Sequence, residues 1–431
     1  MKISILKYII TILCLQGFLM AATIKQLEIN NINVPVIFEK DKNLPILNLQ
    51  LVFKNSGYIQ DNKKSGTASI SASLLNEGTK KLGSTKFAQK LENQAISLHT
   101  SNGFETFVVE LSSIKDVHEK ALKYLKELLS DPNYDEKTLK KIKTIKTGSL
   151  KRKENDFDYI ASKNLKKLIF KGTPLESPSS GTIESIEKIK LDDIKTFLES
   201  ALDLNNLIIV VGGDFEYDEI IPKIKNVVKV LNNNKSNNLK QITVKSNKET
   251  KTELKETEQA YIYFGSPFDV NVKDENSYMA KVASFILGGS GFGSRLMEEI
   301  RVKRGLAYSA YGHVSMNKSH SYFTGYLQTK LESADEAKEL VSSIVNEFVK
   351  NGVTNDELEA AKNFLLGSEP LRTETLSQRL NRAFTLYYRG LKQEQSQIDL
   401  DKIENLKLED LNNYIKSHKE IKKLSFSIVR K

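Results

Sequence analysis

The feature that most constrains this chain is that its second half repeats its first. Residues 134–149 align without a gap with residues 353–368, pairing Leu139 with Leu358 and Gly148 with Gly367, an offset of 219 (358 − 139). The helix-like segment before it repeats at the same offset, with Leu122, Leu125 and Leu129 against Val341, Ile344 and Phe348. Upstream, His320–Thr329 plays the part of Thr106–Ser112. Downstream, Leu406–Ile415 matches Leu191–Leu202, and Lys423–Val429 matches the apolar run that starts at Leu207. A period this long means two homologous domains rather than a solenoid of short units. Within each half, strand patterns (Leu47, Leu49, Leu51, Phe53 at alternate positions) mix with helical ones (Ala121, Leu122, Leu125, Leu129), so the expected class is α+β. The halves are read as residues 23–230 and 259–431. Residues 231–258, polar and carrying Asn232–Asn238, read as a linker with one candidate strand at Gln241–Lys245.

Charge and cysteine usage narrow the function. The formal charge is +10, but the lysines are spread and aromatic residues make up only 8%, which excludes a dedicated nucleic-acid binder. Lys2 and Lys7 precede an apolar run from Tyr8 to Ala22 that is too short to span a bilayer comfortably. Residues 1–22 therefore read as a signal peptide cleaved near Ala21 or Ala22, which places the protein in the periplasm. Leu19 and Met20 stand where a small residue is preferred, so an uncleaved membrane anchor is the alternative. Cys14 is the only cysteine, so the mature chain has no disulfide and no thiolate metal site.

Two stretches carry chemistry. The first is Gly66-Thr-Ala-Ser-Ile-Ser-Ala-Ser-Leu-Leu-Asn-Glu-Gly-Thr79, a helix of small residues ending at Gly78. The second sets four glycines within six positions (Gly288, Gly289, Gly291, Gly293), then a helical run from Arg295 to Lys303, then Arg304-Gly-Leu-Ala-Tyr-Ser309 as a strand start. The basic run around Lys137–Lys153 reads as a solvated helix face over a stripe of Leu139, Ile142 and Ile145, or more sharply as an electropositive patch toward a partner or substrate.

Both stretches resemble signatures of the insulinase/pitrilysin-like zinc peptidase family, in its bacterial processing-peptidase branch. The second resembles the pattern S-R-L-x-x-E-L-R followed by x-K-R-G-L-A-Y-S. The first resembles G-T-A-H-x-x-E-H-x-L-x-x-G-T with its chemistry removed. Ser69 and Ser73 fill the two zinc-histidine positions and Ala72 fills that of the catalytic acid. Zinc hydrolysis needs two imidazoles one helical turn apart and a carboxylate to activate water. The family's third ligand is a glutamate on a later helix, and residues 137–153 contain no acidic residue. Nor do the five histidines rebuild a site. No two share a three- or four-residue spacing, and His313 with His320 lacks a third ligand. No metal and no cofactor are expected in this chain.

The resemblance implies a fold of two mainly antiparallel sheets packed with helices, forming half of a clam-shell chamber. It implies a heterodimer in which a zinc-bearing paralogue cleaves peptide while this chain, without catalytic residues of its own, holds it. Arg301 would bind a substrate carbonyl near the scissile bond, and Tyr308 that carbonyl or the oxyanion. Gly288, Gly289, Gly291 and Gly293 would form the loop facing the partner's zinc helix. Tyr261–Phe264 would offer a sheet edge to the peptide. A stand-alone, inactive peptide-binding or scaffold protein is the alternative.

Overall fold

The computed structural model describes residues 22–61, 64–245 and 247–431. The leader read over residues 1–22 lies outside them except for Ala22. The first sheet contains β1 (Thr23–Ile29), β2 (Ile32–Lys40), β3 (Ile46–Lys54), β4 (Ser97–Asn102), β5 (Thr106–Ile114) and β6 (Leu207–Gly213), in the order β1-β2-β6-β3-β5-β4. The second contains β7 (Thr250–Leu254), β8 (Gln259–Pro267), β9 (Ala307–Met316), β10 (Ser321–Lys330) and β11 (Ser425–Arg430), in the order β7-β11-β8-β10-β9. Superposing the orders pairs β2 with β7, β6 with β11, β3 with β8, β5 with β10 and β4 with β9. Each sheet is antiparallel except at one place, β2 with β6 and β7 with β11, and those two places correspond. The duplication expected from the 219-residue repeat is thus present strand for strand, with β1 added at one edge.

The helices of the first half are α1 (Thr67–Leu75), α2 (Gly83–Glu92), α3 (His118–Ser130), α4 (Glu136–Arg152), α5 (Phe157–Ile169), α6 (Ile183–Lys188), α7 (Leu191–Ala201) and α8 (Tyr217–Val228). Those of the second are α9 (Ser277–Ser284), α10 (Ala334–Asn351), α11 (Asn355–Gly367), α12 (Leu376–Arg389), α13 (Gln395–Glu404) and α14 (Leu408–Ser417). Each sheet packs one face on helices of its own half, giving two separate cores.

The other face of each sheet is covered by a helix from the opposite half. α12 lays Leu376, Leu380 and Ala383 on Ile37, Val52, Ile208 and Val210 of the first sheet. α5, its equivalent 219 residues earlier (376 − 157), lays Ile160 and Ala161 on Val429 of the second sheet. This exchange explains why β6 is buried at every position. With helices on both sides it needs a continuous apolar run, Leu207-Ile-Ile-Val-Val211, rather than alternation.

Three sequence expectations are corrected. Gln241–Lys245 is not a strand. It straps the seam between the halves, where the Ile242 N–H donates to the Ser319 carbonyl and the Lys245 N–H to that of Ile169, each at 2.8 Å. The stretch read as a linker instead delivers β7, whose alternating Thr250, Thr252 and Leu254 pair with β11. Tyr261–Phe264 is no edge either. It lies in β8, which is hydrogen-bonded to β11 on one side and β10 on the other, so added peptide has no backbone groups to pair with there.

Candidate functional site

The first candidate is α1. Gly66 enters it with φ +95°, a conformation that costs glycine little. The Asp61 carboxylate accepts the Gly66 N–H at 2.7 Å and the Ala68 N–H at 2.8 Å, which satisfies donors the helix start leaves free. Small side chains then let α1 sink into the core, with Ala68, Ile70, Ser71, Ala72, Leu74 and Leu75 all buried. Asn76 exchanges two side-chain hydrogen bonds with the Thr100 backbone, which holds α1 along β4.

Ser69 and Ser73 lie one turn apart, and the Ser73 hydroxyl donates to the Ser69 carbonyl at 2.9 Å. The Ser69 hydroxyl meets a residue of α4: Lys146 Nζ donates to Ser69 Oγ at 2.8 Å. Burial, reinforced by Lys153, lowers the Lys146 pKa from its ordinary value. The inward stripe of α4 is therefore Leu139, Ile142, Lys146 and Leu150, at helical spacing, while Ile145 is 56% exposed. The reading of Ile145 as buried and of the lysines as a uniformly solvated face is corrected at these two positions. A cation ligand set of this kind does not fit zinc. It offers two hydroxyls, a methyl and an ammonium, where zinc takes imidazole, thiolate or carboxylate.

The second candidate follows α9. The chain makes a wide turn at Phe285–Gly289, in which Gly288 lies so close to β9 that a Cβ would meet Gly312 N at 2.6 Å. Gly291 and Gly293 adopt φ +66° and +91°. The Ser294 hydroxyl caps the short helix Arg295–Met297, and Arg295 anchors it through a two-pronged ion pair with Glu357 at 2.5 and 2.6 Å. The expected run to Lys303 is not one regular helix. It widens over Glu298–Val302, and Gly305, at φ +63°, turns the chain into β9.

This geometry brings Arg301 and Tyr308 together. The guanidinium carbon lies 4.4 Å from the Tyr308 ring centroid and 4.7 Å from that of Phe292, so two aromatic rings flank it. Tyr308 is 81% exposed and Phe292 70%. The nearby Glu299 is taken by Lys303 and Arg304. Among the described residues no carboxylate pairs with Arg301, so its five N–H donors stay available. Gly288 and Gly289 are packing and turn residues of this loop. Gly291 and Gly293 carry the exposed tip on which Phe292 sits.

Profiles of two domains match in succession: "Insulinase (Peptidase family M16)" over residues 36–183 and "Peptidase M16 inactive domain" over residues 188–365. The chain belongs to peptidase family M16. It is 42% identical over 425 residues to the "Non-peptidase homolog YmxG" of Helicobacter pylori, covering 98% of each chain. In structure, this M16 chain is similar to a "peptidase M16 inactive domain" from Pseudomonas fluorescens, with a TM-score of 0.86, 24% identity, and 95% and 98% of the two chains covered. It is also similar to the periplasmic protease PqqL of Escherichia coli, with a TM-score of 0.74 and 14% identity, where 94% of this chain covers 47% of that one. It is thus an inactive member of M16, with no zinc donors at the metal positions.

Sequence reasoning found Ser69, Ala72, Ser73, Arg301 and Tyr308 but missed two residues in contact with them. Lys146 was visible in principle, because it continues the Leu139–Ile142 stripe. Phe292 was visible as the lone aromatic among four glycines.

Proposed function

We propose that this protein is the substrate-holding, zinc-less subunit of a two-subunit periplasmic M16 peptidase, with a zinc-bearing paralogue as its partner. The observation that carries this reading is the Phe292–Arg301–Tyr308 stack. A half-buried guanidinium with no carboxylate partner among the described residues, held between two exposed rings, is suited to gripping peptide. The rings fix the plane of the guanidinium and leave its edge free to donate to peptide carbonyls, and the Tyr308 hydroxyl adds a donor that is stronger toward a developing oxyanion. The match to only 47% of PqqL supports a need for a second, equivalent half to close a chamber.

Co-expression with the closest H-x-x-E-H paralogue, purification through a tag on this chain and a peptide-cleavage assay test the proposal. The partner should be retained, and cleavage should need both chains. Arg301→Ala and Tyr308→Phe should each lower kcat/KM about 10²-fold, the scale of losing one transition-state donor. If no partner is retained and the mixture cleaves no faster than the zinc paralogue alone, the protein is a stand-alone peptide-binding or scaffold protein.

A further inference from the structure

We propose that Lys146 and Ser69 form a carboxylate-binding site where active M16 members hold zinc, and that the carboxylate is carried by the bound peptide. That the ligand is a peptide rests on the function proposed above. The site itself rests on its own geometry.

Lys146 is half-buried, and its only hydrogen-bond partner among the described residues is a neutral oxygen, Ser69 Oγ at 2.8 Å. No carboxylate among those residues compensates it, and the charge acting on it is another cation, Lys153. The neighbouring groups are already engaged. Lys141 pairs with Glu77 at 2.7 Å, Lys143 donates to the Glu187 carbonyl at 3.0 Å, and Ser73 donates to the Ser69 carbonyl. What remains is a set of donors without a protein acceptor among the described residues: two N–H groups of Lys146 and the Ser69 O–H. A half-buried charge left this way is costly, and an anion brought to it recovers the difference. One ammonium and one adjacent hydroxyl suit the two oxygens of a single carboxylate. The positive charge at this position thus comes from α4.

The test uses the mature chain labelled with [ε-13C]lysine, in which the Lys146 resonance is the one absent from Lys146→Met. Acetate is titrated first. The Lys146 resonance should shift saturably, its pKa should rise toward the ordinary lysine value, and Ser69→Ala should weaken acetate binding several-fold while preserving the fold. Absence of a saturable response, or an unchanged affinity in Ser69→Ala, overturns the site. Acetyl-tri-alanine with a free carboxylate, its amide, and acetyl-Ala-Asp-Ala-amide follow. Preference of about tenfold for either acid peptide over the amide, lost in Lys146→Met, supports a peptide ligand and tells an α-carboxylate from an acidic side chain. Equal binding of all three overturns the peptide assignment. Failure of the Arg301 proposal would show only in the cleavage assay and leave the acetate titration unchanged.

Discussion

A methyl group added at position 288 would meet Gly312 N at 2.6 Å and Leu296 Cδ1 at 2.7 Å, with backbone on one side and a buried side chain on the other. Gly288→Ala should therefore destabilise the second half by about 1–3 kcal/mol, the cost of overpacking, read as a lowered midpoint in urea. Gly293→Ala meets no atom within 4 Å and should lose only the smaller cost of its positive φ. The two substitutions separate a glycine required by close approach from one required by backbone conformation, a distinction that four glycines in a string do not reveal. The same holds at the degenerate metal helix. The lost ligands were legible because Ser69, Ala72 and Ser73 sit at fixed spacings within one segment. The inward turn of Lys146 was legible only as a continuation of the Leu139–Ile142 stripe, and its meeting with Ser69, 77 positions away (146 − 69), is shown by packing alone.

At the scale of elements, α12 is held on the first sheet by more than its apolar stripe. Arg379 donates to Glu39 at 2.5 Å and to Asp41 at 2.6 Å, both buried at the end of β2. Burial raises the Glu39 pKa, and the guanidinium pulls it back. Arg379→Met keeps the length and removes the charge, leaving two carboxylates buried without a cation. It should cost about 3–5 kcal/mol in chemical denaturation, and Arg379→Lys should recover only part of that. Most elements were legible for simple reasons: β3 alternates, and α3 keeps a 3.6-residue stripe. The exchange of α5 and α12 was not. An amphipathic pattern tells which face of a helix is apolar but not which sheet that face will meet. For the same reason β8 passed for an edge, since pairing partners are a property of topology rather than of a strand's own residues.

At the scale of the whole molecule, the halves meet where the β4–β5 and β9–β10 turns touch. Phe104 and Phe170 pack edge-on against His320, and Glu105 accepts hydrogen bonds from Ser319 N–H and Tyr388 OH, each at 2.8 Å. Burial pushes the His320 pKa down to about 4, opposed by the Glu105 carboxylate and reinforced by Lys166. The folded chain keeps this imidazole neutral while the unfolded chain protonates it near 6.5. Its contribution is complete above pH 6.5 and is lost as pH falls toward 4, with a slope of about 1.4 kcal/mol per pH unit inside that window. His320→Gln should flatten the difference in unfolding free energy between pH 7 and pH 4.5 relative to the parent, measured by urea titration at each pH.

The exchanged helices also set the order in which this protein can be completed. During synthesis α5 emerges before any strand of the sheet it covers, and the face of the first sheet formed by Ile37, Val52, Ile208 and Val210 waits for a helix that begins at residue 376. Each half has its own core, but neither can cover the second face of its sheet while the other is missing. The first sheet therefore keeps one apolar face uncovered until synthesis has passed residue 376 of 431.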